Sequence, residues 1–391
     1  MNSLIYLKNS VDRSLLVLII VLMSLGLVML TSASIAVADQ TFGEPFYYLF
    51  KQLTAVIIGL VLGVAVLMIS TEIWFRFSSI FIFFALVSLV LVLIPGIGRE
   101  VNGAMRWISI AGINFQVSEA ARLAMLMYLS GYMVRHRESI IESFAGFLRP
   151  MLLVFMISVL LLAEPDFGAL FIIVLIAMSL LFLVGAKFKH FIFLSAVLSG
   201  LMAVAIISAP YRLQRLLGYQ NPWDDPFGSG FQLTQSLIAI GSGKWFGVGL
   251  GNSVQKLFYL PEAHTDFVFA VFAEEFGLVG TLILIFLFSC LVWRGLKISN
   301  SAAALGRYYQ AYLAFGIAVW QGMQVFINLG VNMGMLPTKG LTLPLISYGR
   351  SSLIITLLSL ALLLRIDIEN RDSQLNKKPL EKKQLGRGLK R

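Results

Sequence analysis

Residues 15–30 read LLVLIIVLMSLGLVML, and this stretch decides the class of fold. It lies inside a run from Ser14 to Ala36 that contains no charged residue. A helix that crosses a bilayer needs about 20 mostly apolar residues, so the run is long enough to span. It is too long for a cleaved signal peptide and lacks the small-residue cleavage site. We predict that it forms the first membrane span.

The same apolar character extends along the chain. Of the 391 residues, 58% are hydrophobic and 13% are charged, whereas soluble domains contain about 25% charged residues. This composition excludes an ordinary soluble enzyme, and the long aliphatic runs exclude a disordered chain. We predict an all-α polytopic membrane protein with about ten transmembrane helices. The further apolar runs lie near residues 47–70, 79–95, 117–134, 150–163, 167–185, 190–209, 267–293, 308–335 and 344–364.

Charge in the short loops predicts the orientation. With the N-terminus inside, most Lys and Arg of the short loops face the cytoplasm, as the positive-inside rule requires, and an even number of spans returns the C-terminus to that side. The predicted organisation is a cytoplasmic N-terminus at 1–13, a ten-helix membrane domain at 14–370 and a basic cytoplasmic tail at 371–391. One long extracytoplasmic loop, about 210–266, joins helices 7 and 8, and loops of this length are usually functional or disordered.

The net charge of +10 does not indicate a nucleic-acid-binding protein. The tail at 371–391 carries eight of the basic residues and two acidic ones, which suits a topology anchor near anionic lipid. The chain has one cysteine, Cys290, and three widely spaced histidines, so no metal-binding residue is predicted. The segment GSGK at 241–244 lacks the first glycine and the Ser/Thr of a phosphate loop, which argues against an ATP-driven enzyme.

Ionisable side chains inside predicted spans are costly and by default mark functional sites. Glu119 and Arg122 lie three residues apart on one helix face, where they either serve function or neutralise each other as an internal ion pair. Asp266 follows His264 where the long loop meets helix 8, and it is either an N-cap for that helix or a functional carboxylate. Glu274 lies further along the same helix face as Asp266.

Two other polar groups allow both a structural and a functional interpretation. Glu164 and Asp166 form an acidic turn between helices 5 and 6, which is either simply solvated or part of a site. A row of amides along helix 9 either joins helices or lines a substrate groove. The row consists of Gln321, Gln324, Asn328 and Asn332.

Six motifs occur in order along the membrane domain. They read NGAMRWI at 102–108, FQVSE at 115–119, EPDFG at 164–168, PEAHTDF at 261–267, EEFG at 274–277 and PLISYG at 344–349. With these motifs the chain resembles the SEDS family (shape, elongation, division and sporulation), the polytopic peptidoglycan glycosyltransferases, over essentially the whole membrane part. The stretch NPWDDPFGSG at 221–230 is similar to the division-type members rather than the elongation-type members. Arg350 stands where the family usually has glycine.

The resemblance implies an activity, a site and partners. It implies a bacterial inner-membrane glycosyltransferase that polymerises lipid II at the division septum, with Asp266 as the general base that takes a proton from the attacking 4-hydroxyl of lipid II. The implied partners are lipid II and the growing glycan strand, a class B penicillin-binding transpeptidase and other membrane proteins of the division complex. A lipid pyrophosphate leaves in this reaction, so cations are expected near it, and a divalent ion such as Mg²⁺ or Mn²⁺ is a further candidate.

The expected substrate-binding residues are polar or charged and lie mostly in the motifs or in the long loop. They are Arg106, Glu119, Arg122, Arg212, Arg215, Lys244, Lys256, His264, Glu274, Gln321 and Ser347. Two other functions stay open: a flippase that moves lipid II across the bilayer without glycosyl transfer, and an inert scaffold for division proteins. The special residues lie towards the outer half of the membrane, which favours a polymerase because a flippase needs polar groups through the full depth.

Overall fold

The computed structural model describes residues 12–101, 104–110, 113–207, 221–228, 230–337 and 340–388. Within them a helix occupies each of the ten predicted spans, which confirms the predicted helical membrane fold. Two shorter helices, α5 (Arg137–Glu142) and α9 (Phe231–Ser242), lie between the spans. The long helices are α1 (Arg13–Phe42), α2 (Tyr47–Met68), α3 (Thr71–Val92), α4 (Val117–Arg135), α6 (Phe144–Ala163), α7 (Phe167–Val184), α8 (Phe188–Ile207), α10 (Val268–Ala304), α11 (Tyr308–Asn332) and α12 (Arg350–Gly388).

Eight of the described helices are long and apolar enough to cross a membrane by length and composition. The helix α4 is not among them, and it carries Glu119 and Arg122 within its first two turns. In α8 the apolar stretch is the shorter segment Phe188–Val197. The orientation of the bundle in the membrane and the boundaries of the cytoplasmic segments stay predictions.

The ends of several helices differ from the apolar runs. Helix α3 begins at Thr71, before its apolar run, and α10 continues to Ala304, well beyond its apolar run. Helix α12 begins only at Arg350, because the preceding segment 341–349 forms turns instead. In that segment Ser347 Oγ accepts a hydrogen bond from the backbone N of Leu343 at 2.8 Å. Hydropathy therefore located the spans but not where their helices end.

A small antiparallel sheet lies between α3 and α4 and was not part of the helical prediction. Its strands are β1 (Gly98–Val101), β2 (Ala104–Ile110) and β3 (Ile113–Gln116), in the order β1-β2-β3. Val101 pairs with Ala104 across the first hairpin, and the two residues between them in the sequence are Asn-Gly. Asn-Gly is the strongest short-range signal for a hairpin, so this hairpin could have been predicted from the sequence.

Helix α10 is interrupted at Gly277, where the loop that precedes the helix packs against it. Gly277 has φ 67° and ψ −164°, a conformation open to glycine and not to residues with a side chain. The loop before α10 supplies backbone hydrogen bonds on both sides of the break: Val248 N donates to Glu274 O at 3.0 Å, and Leu278 N donates to Lys244 O at 2.9 Å. The loop that precedes α10 is thereby fastened to α10 by backbone hydrogen bonds.

The close approach of α1 to the segment 341–349 depends on Gly26. A Cβ atom built on Gly26 would lie 2.1 Å from the carbonyl oxygen of Leu345, which is backbone and cannot move aside alone. We expect Gly26→Ala to lower the free energy of unfolding by about 1–3 kcal/mol, as overpacking does. Thermal unfolding of the purified protein in detergent measures the change.

The matched control is Gly63→Ala in α2. A Cβ on Gly63 would meet Ala361 at 3.6 Å, which is an ordinary van der Waals contact. Alanine is the better helix former, so this variant is expected to be as stable as the unchanged protein or slightly more stable. Equal melting temperatures of the Gly26→Ala and Gly63→Ala variants would contradict the proposed contact between α1 and residue 345.

Candidate active site

Asp266 lies in the turn immediately before α10, at the same end of the bundle as the C-terminus of α11. Its backbone carbonyl oxygen accepts hydrogen bonds from the side-chain amides of Asn328 at 2.9 Å and of Asn332 at 3.0 Å. Asn332 Oδ1 also accepts from the backbone N of Ala270 at 3.3 Å. Two neighbouring residues of the amide row on α11 therefore fix the backbone of Asp266 and the first turn of α10.

The carboxylate of Asp266 is half-buried beside the chain at Gly340. A Cβ built on Gly340 would lie 3.2 Å from Asp266 Oδ2, so a larger residue there would press on the carboxylate. Burial and the negative charge of Glu262, opposed by the positive charge of Arg106, raise the pKa of Asp266 to about 7. Near neutral pH this group exchanges a proton readily, which is the property a general base needs.

Arg106 links the sheet to the turn between α6 and α7. Its Nε donates to the carbonyl oxygen of Glu164 at 2.9 Å, and its Nη2 donates to that of Pro165 at 2.6 Å. Both bonds go to uncharged carbonyl groups, so the guanidinium keeps its charge available to neighbouring anions. The pKa of Asp266 and the pKa of Glu164 are both lowered by this charge. The charge of Arg106 therefore acts on Asp266, and its role in substrate binding stays a prediction.

The acidic turn at 164–166 is buried and not solvated. Asp166 caps α7, because its Oδ1 accepts from the backbone N of Ala169 at 3.0 Å, and its Oδ2 accepts from Ser118 Oγ at 2.9 Å. Both carboxylate oxygens of Glu164 are buried and have no hydrogen-bond partner among the described residues. Burial, reinforced by the charge of Asp166 and opposed by Arg106, raises the pKa of Glu164 to about 8. Of the two interpretations of this turn, simple solvation disagrees with the burial of both carboxylates.

His264 belongs to a ring cluster next to Asp266. Its carbonyl oxygen accepts from the backbone N of Tyr348 at 2.9 Å, and its ring lies 4.5 Å from the ring of Tyr48 between centroids. Ser347, another predicted substrate-binding residue, is buried. Its Oγ accepts from the backbone N of Leu343, and its carbonyl oxygen accepts from Gln52 Nε2 at 3.2 Å. His264 borders the site, whereas the contacts of Ser347 support a turn.

Glu119 and Arg122 form an ion pair inside the bundle, 3.2 Å apart, with side-chain exposures of 6% and 1%. Arg122 Nη1 also donates to Gln324 Oε1 at 3.1 Å, and its guanidinium carbon lies 5.2 Å from the ring centroid of Trp320. These partners belong to α11, so the pair joins α4 to α11. These contacts do not support a substrate-binding role for Glu119 and Arg122, and that role stays a prediction.

Three further predicted substrate-binding residues lie in the loop that precedes α10 or contact it. Lys256 is buried, and its Nζ lies 2.7 Å from Glu275 Oε1 and 2.8 Å from Ser32 Oγ. Glu274 is buried and accepts from Ser253 Oγ at 2.5 Å. Lys244 is exposed at the turn beside the break in α10. Neither Lys256 nor Glu274 is free to bind a substrate in this arrangement.

Gln321 is buried on α11, and its Nε2 donates to Ser359 Oγ of α12 at 3.2 Å. The amide row as a whole bonds to protein groups, in agreement with its interpretation as a contact between helices. The two arginines Arg212 and Arg215 lie outside the described residues. The sequence analysis missed the role of Asn328 and Asn332 as the support of Asp266, and their shared helix face was the only available signal.

An apolar groove of about 330 Å³ begins beside the sheet and follows α3, α4 and α12. Ile108 on β2 lines it, two residues from Arg106, and alternate residues of a strand point to the same face. The groove therefore begins near the cation of the site and continues along the membrane helices. Its other walls include Trp74, Phe81, Phe84, Phe115, Val117 and Leu358.

Comparison with known proteins decides the family. The family pattern FtsW/RodA/SpoVE, described as "Cell cycle protein", matches residues 12–372. The chain belongs to the FtsW/RodA/SpoVE family. Among its relatives, the "Probable peptidoglycan glycosyltransferase FtsW" of Thioalkalivibrio sulfidiphilus is 50% identical over 94% of this chain and 92% of its own length. The protein of the same name from Legionella pneumophila is 47% identical over 94% of each chain.

Solved structures of the FtsW/RodA/SpoVE family share the fold. A chain of the structure described as "Structural coordination of polymerization and crosslinking by a peptidoglycan synthase complex" superposes with a TM-score of 0.77 at 30% identity, covering 93% of this chain and 99% of that one. The rod shape determining protein RodA of Thermus thermophilus gives a TM-score of 0.68 at 31% identity, covering 92% and 97%. The predicted family resemblance is confirmed.

Proposed function

We propose that the protein is a peptidoglycan glycosyltransferase that polymerises lipid II into glycan strands, with Asp266 as the general base. The relatives that carry this activity in their names match nearly the whole chain. The observation that carries the proposal is Asp266 itself. Two amides hold its backbone carbonyl, and burial and Glu262, opposed by the charge of Arg106, raise the pKa of its carboxyl to about 7.

The proposed reaction needs one proton acceptor and one site for negative charge. The ionised carboxylate of Asp266 takes the proton of the 4-hydroxyl of lipid II while that oxygen bonds to the anomeric carbon of the growing strand. The bond from this carbon to the lipid pyrophosphate breaks, and the pyrophosphate leaves as an anion. General-base assistance of this kind contributes about 10²- to 10⁴-fold.

Arg106 is the candidate partner for the leaving pyrophosphate. Its described hydrogen bonds go to the uncharged carbonyl oxygens of Glu164 and Pro165, and its charge lowers the pKa of Asp266. Lys256 is already neutralised by Glu275. A planar guanidinium binds phosphate oxygens through parallel hydrogen bonds, which suits this role.

The apolar groove beside the sheet suits the polyprenyl tail of the substrate. Its lining is almost entirely aliphatic and aromatic, and Ile108 places one end of it two residues from Arg106 on the same strand. A tail in the groove would hold the pyrophosphate near Arg106. Positioning both reactants in this way replaces a diffusional encounter with an oriented one.

A divalent cation stays a separate proposal. Among the described residues no three His, Cys, Asp or Glu side chains group so that they could hold a metal ion. A Mg²⁺ or Mn²⁺ ion would therefore depend on ligands from the substrate pyrophosphate, and the steps above are derived without it.

The cellular setting follows from the family resemblance. We infer that the chain acts in the bacterial inner membrane at the division septum, with a class B penicillin-binding transpeptidase and other division proteins. A neighbouring fold in a peptidoglycan synthase complex supports a partner that crosslinks the strands. The multi-pass membrane fold agrees with this location.

The experiment that tests the proposal separates polymerisation from transport. Labelled lipid II is given to the purified protein and its transpeptidase partner in detergent, where no leaflets exist, and the products are separated by length. We expect glycan strands. In a parallel liposome sample, the accessibility of the lipid II headgroup reports transbilayer movement. Movement in liposomes without strands in detergent would contradict the proposal and favour a flippase.

A further inference from the structure

A polar pocket of about 490 Å³ lies at the end of the bundle far from Asp266. The beginnings of α3 and α11 and the end of α4 surround it. Arg307 and Tyr308 at the start of α11 line it, while Asn332 at the other end of α11 contacts Asp266. A helix of 25 residues is about 37 Å long, so the pocket and the proposed active site lie on opposite sides of the membrane domain.

The acidic group deepest in this pocket is already neutralised. Glu369 Oε1 accepts from the backbone N of Thr71 and from Arg365 Nε, both at 2.9 Å. Its Oε2 accepts from Arg307 Nη2 and Thr71 Oγ1. Two guanidinium groups thus share one carboxylate, which leaves an excess positive charge at the pocket wall.

Two more arginines extend this positive charge at the rim. The guanidinium of Arg135 lies 5.2 Å from the ring centroid of Phe75, and that of Arg137 lies 5.6 Å from the ring centroid of Tyr308. Both arginines are exposed, and neither forms an ion pair within the described part of the chain. Of the residues that the structure describes, Glu72 and Glu369 are the acidic residues that line the pocket, and Arg307 is the lining arginine. With Arg365, which bonds Glu369, and the two arginines beside the lining rings, four guanidinium groups lie in or next to the pocket against two carboxylates.

Tyr309 supplies an unused hydrogen-bonding group. Its side chain lines the pocket, is 5% exposed and packs against Phe75 with 4.9 Å between ring centroids. Its hydroxyl is buried and has no hydrogen-bond partner among the described residues. A buried hydroxyl without a partner is unfavourable, so the group favours a ligand that brings an oxygen acceptor.

We propose that this pocket binds the phosphate-containing headgroup of an anionic phospholipid from the cytoplasmic leaflet. Arg135 and Arg137 attract the phosphate, and the Tyr309 hydroxyl donates to one of its oxygens. The pocket faces the cytoplasm in the orientation that the loop charges predict, and anionic lipid attracts basic residues at that surface. This inference rests on that orientation and not on the proposed glycosyl transfer.

A membrane lipid fits better than a soluble anion because the pocket adjoins lipid-facing side chains. Ile73 and Phe77 on α3 are exposed apolar residues that follow the pocket residue Thr71 by less than two helical turns. Acyl chains can lie along them while the headgroup enters between α3 and α11. The lipid would then bridge the ends of α3, α4 and α11.

Native mass spectrometry of the purified full-length protein in detergent tests the proposal. Phosphatidylglycerol and phosphatidylcholine with identical acyl chains are titrated separately. We expect one phosphatidylglycerol to bind at least about tenfold more tightly than phosphatidylcholine. Tyr309→Phe, which removes only the hydroxyl, and Arg137→Gln, which changes an exposed residue, are each expected to weaken phosphatidylglycerol binding by about threefold to tenfold.

Lys189→Gln is the matched control, because Lys189 is exposed on the same predicted side of the membrane and does not line the pocket. It is expected to bind phosphatidylglycerol within twofold of the unchanged protein. Equal binding of the two lipids, or an equal loss in Lys189→Gln and Arg137→Gln, would overturn the proposal. Inorganic phosphate and glycerol 3-phosphate are added as competitors, and displacement of the lipid at equal concentration would assign the pocket to a soluble anion instead.

Discussion

Asp266→Asn is expected to slow the formation of glycan strands by about 10²- to 10⁴-fold. The carboxamide has nearly the same shape as the carboxylate but does not accept the proton of the attacking hydroxyl. The hydrogen bonds from Asn328 and Asn332 go to the backbone carbonyl of residue 266, so the substitution leaves them in place. Initial rates of strand formation, compared at equal amounts of folded protein, measure the effect.

The pH dependence of the unchanged protein gives the same carboxylate a second test. A general base works in its ionised form, and the pKa of Asp266 is raised to about 7. Below this pH the rate is expected to fall about tenfold for each unit of pH, and above it the rate becomes level. The Asp266→Asn variant lacks this titrating group, so its residual rate is expected to show no rise with pH near 7.

Glu262→Gln is the matched control, because it makes the same chemical change four residues earlier on an exposed side chain. The charge of Glu262 raises the pKa of Asp266, so its removal lowers that pKa and moves the rise in rate to lower pH. Arg106→Gln removes a charge that lowers the pKa and moves the rise to higher pH. If Asp266→Asn kept its rate within about threefold of the unchanged protein, Asp266 would not be the base.

The membrane helices could be predicted from sequence because an apolar run is a local property. The residues Ser14 to Ala36 identify a span without knowledge of any neighbour. The end of a helix depends on its surroundings as well. Helix α12 begins at Arg350 because the preceding segment packs in turns against α1 and the turn before α10, and no local pattern gives this contact.

The candidate site shows the same division between local and tertiary information. The family motifs identified Asp266, and the amide row on α11 could be recognised from its spacing. The hydrogen-bond partners of those amides could not be predicted. The carbonyl of Asp266 is distant from Asn328 in sequence and becomes adjacent only when α10 packs on α11. The sequence also placed Lys256 among substrate-binding cations, since nothing local indicated that Glu275 would neutralise it.

Glu275→Gln is expected to lower the free energy of unfolding by about 3–5 kcal/mol, the range found when one partner of a buried ion pair is removed. Lys256 and Glu275 have side-chain exposures of 5% and 0%, so the substitution leaves a buried ammonium without its counter-charge. The pair connects the loop before α10 to α10 itself, next to the break at Gly277. Thermal unfolding in detergent, followed by loss of helical circular dichroism, measures the change.

Two further variants separate this effect from a general loss of charge. Lys256→Met combined with Glu275→Leu removes both charges together and is expected to recover most of the lost stability, because no unpaired charge stays buried. Arg371→Gln breaks a pair with Asp367 in which Arg371 is 38% exposed, and exposed pairs contribute about 0–1 kcal/mol. A loss in Glu275→Gln no larger than that in Arg371→Gln would show that water reaches Lys256, and the loop would then not be held to α10 by this ion pair.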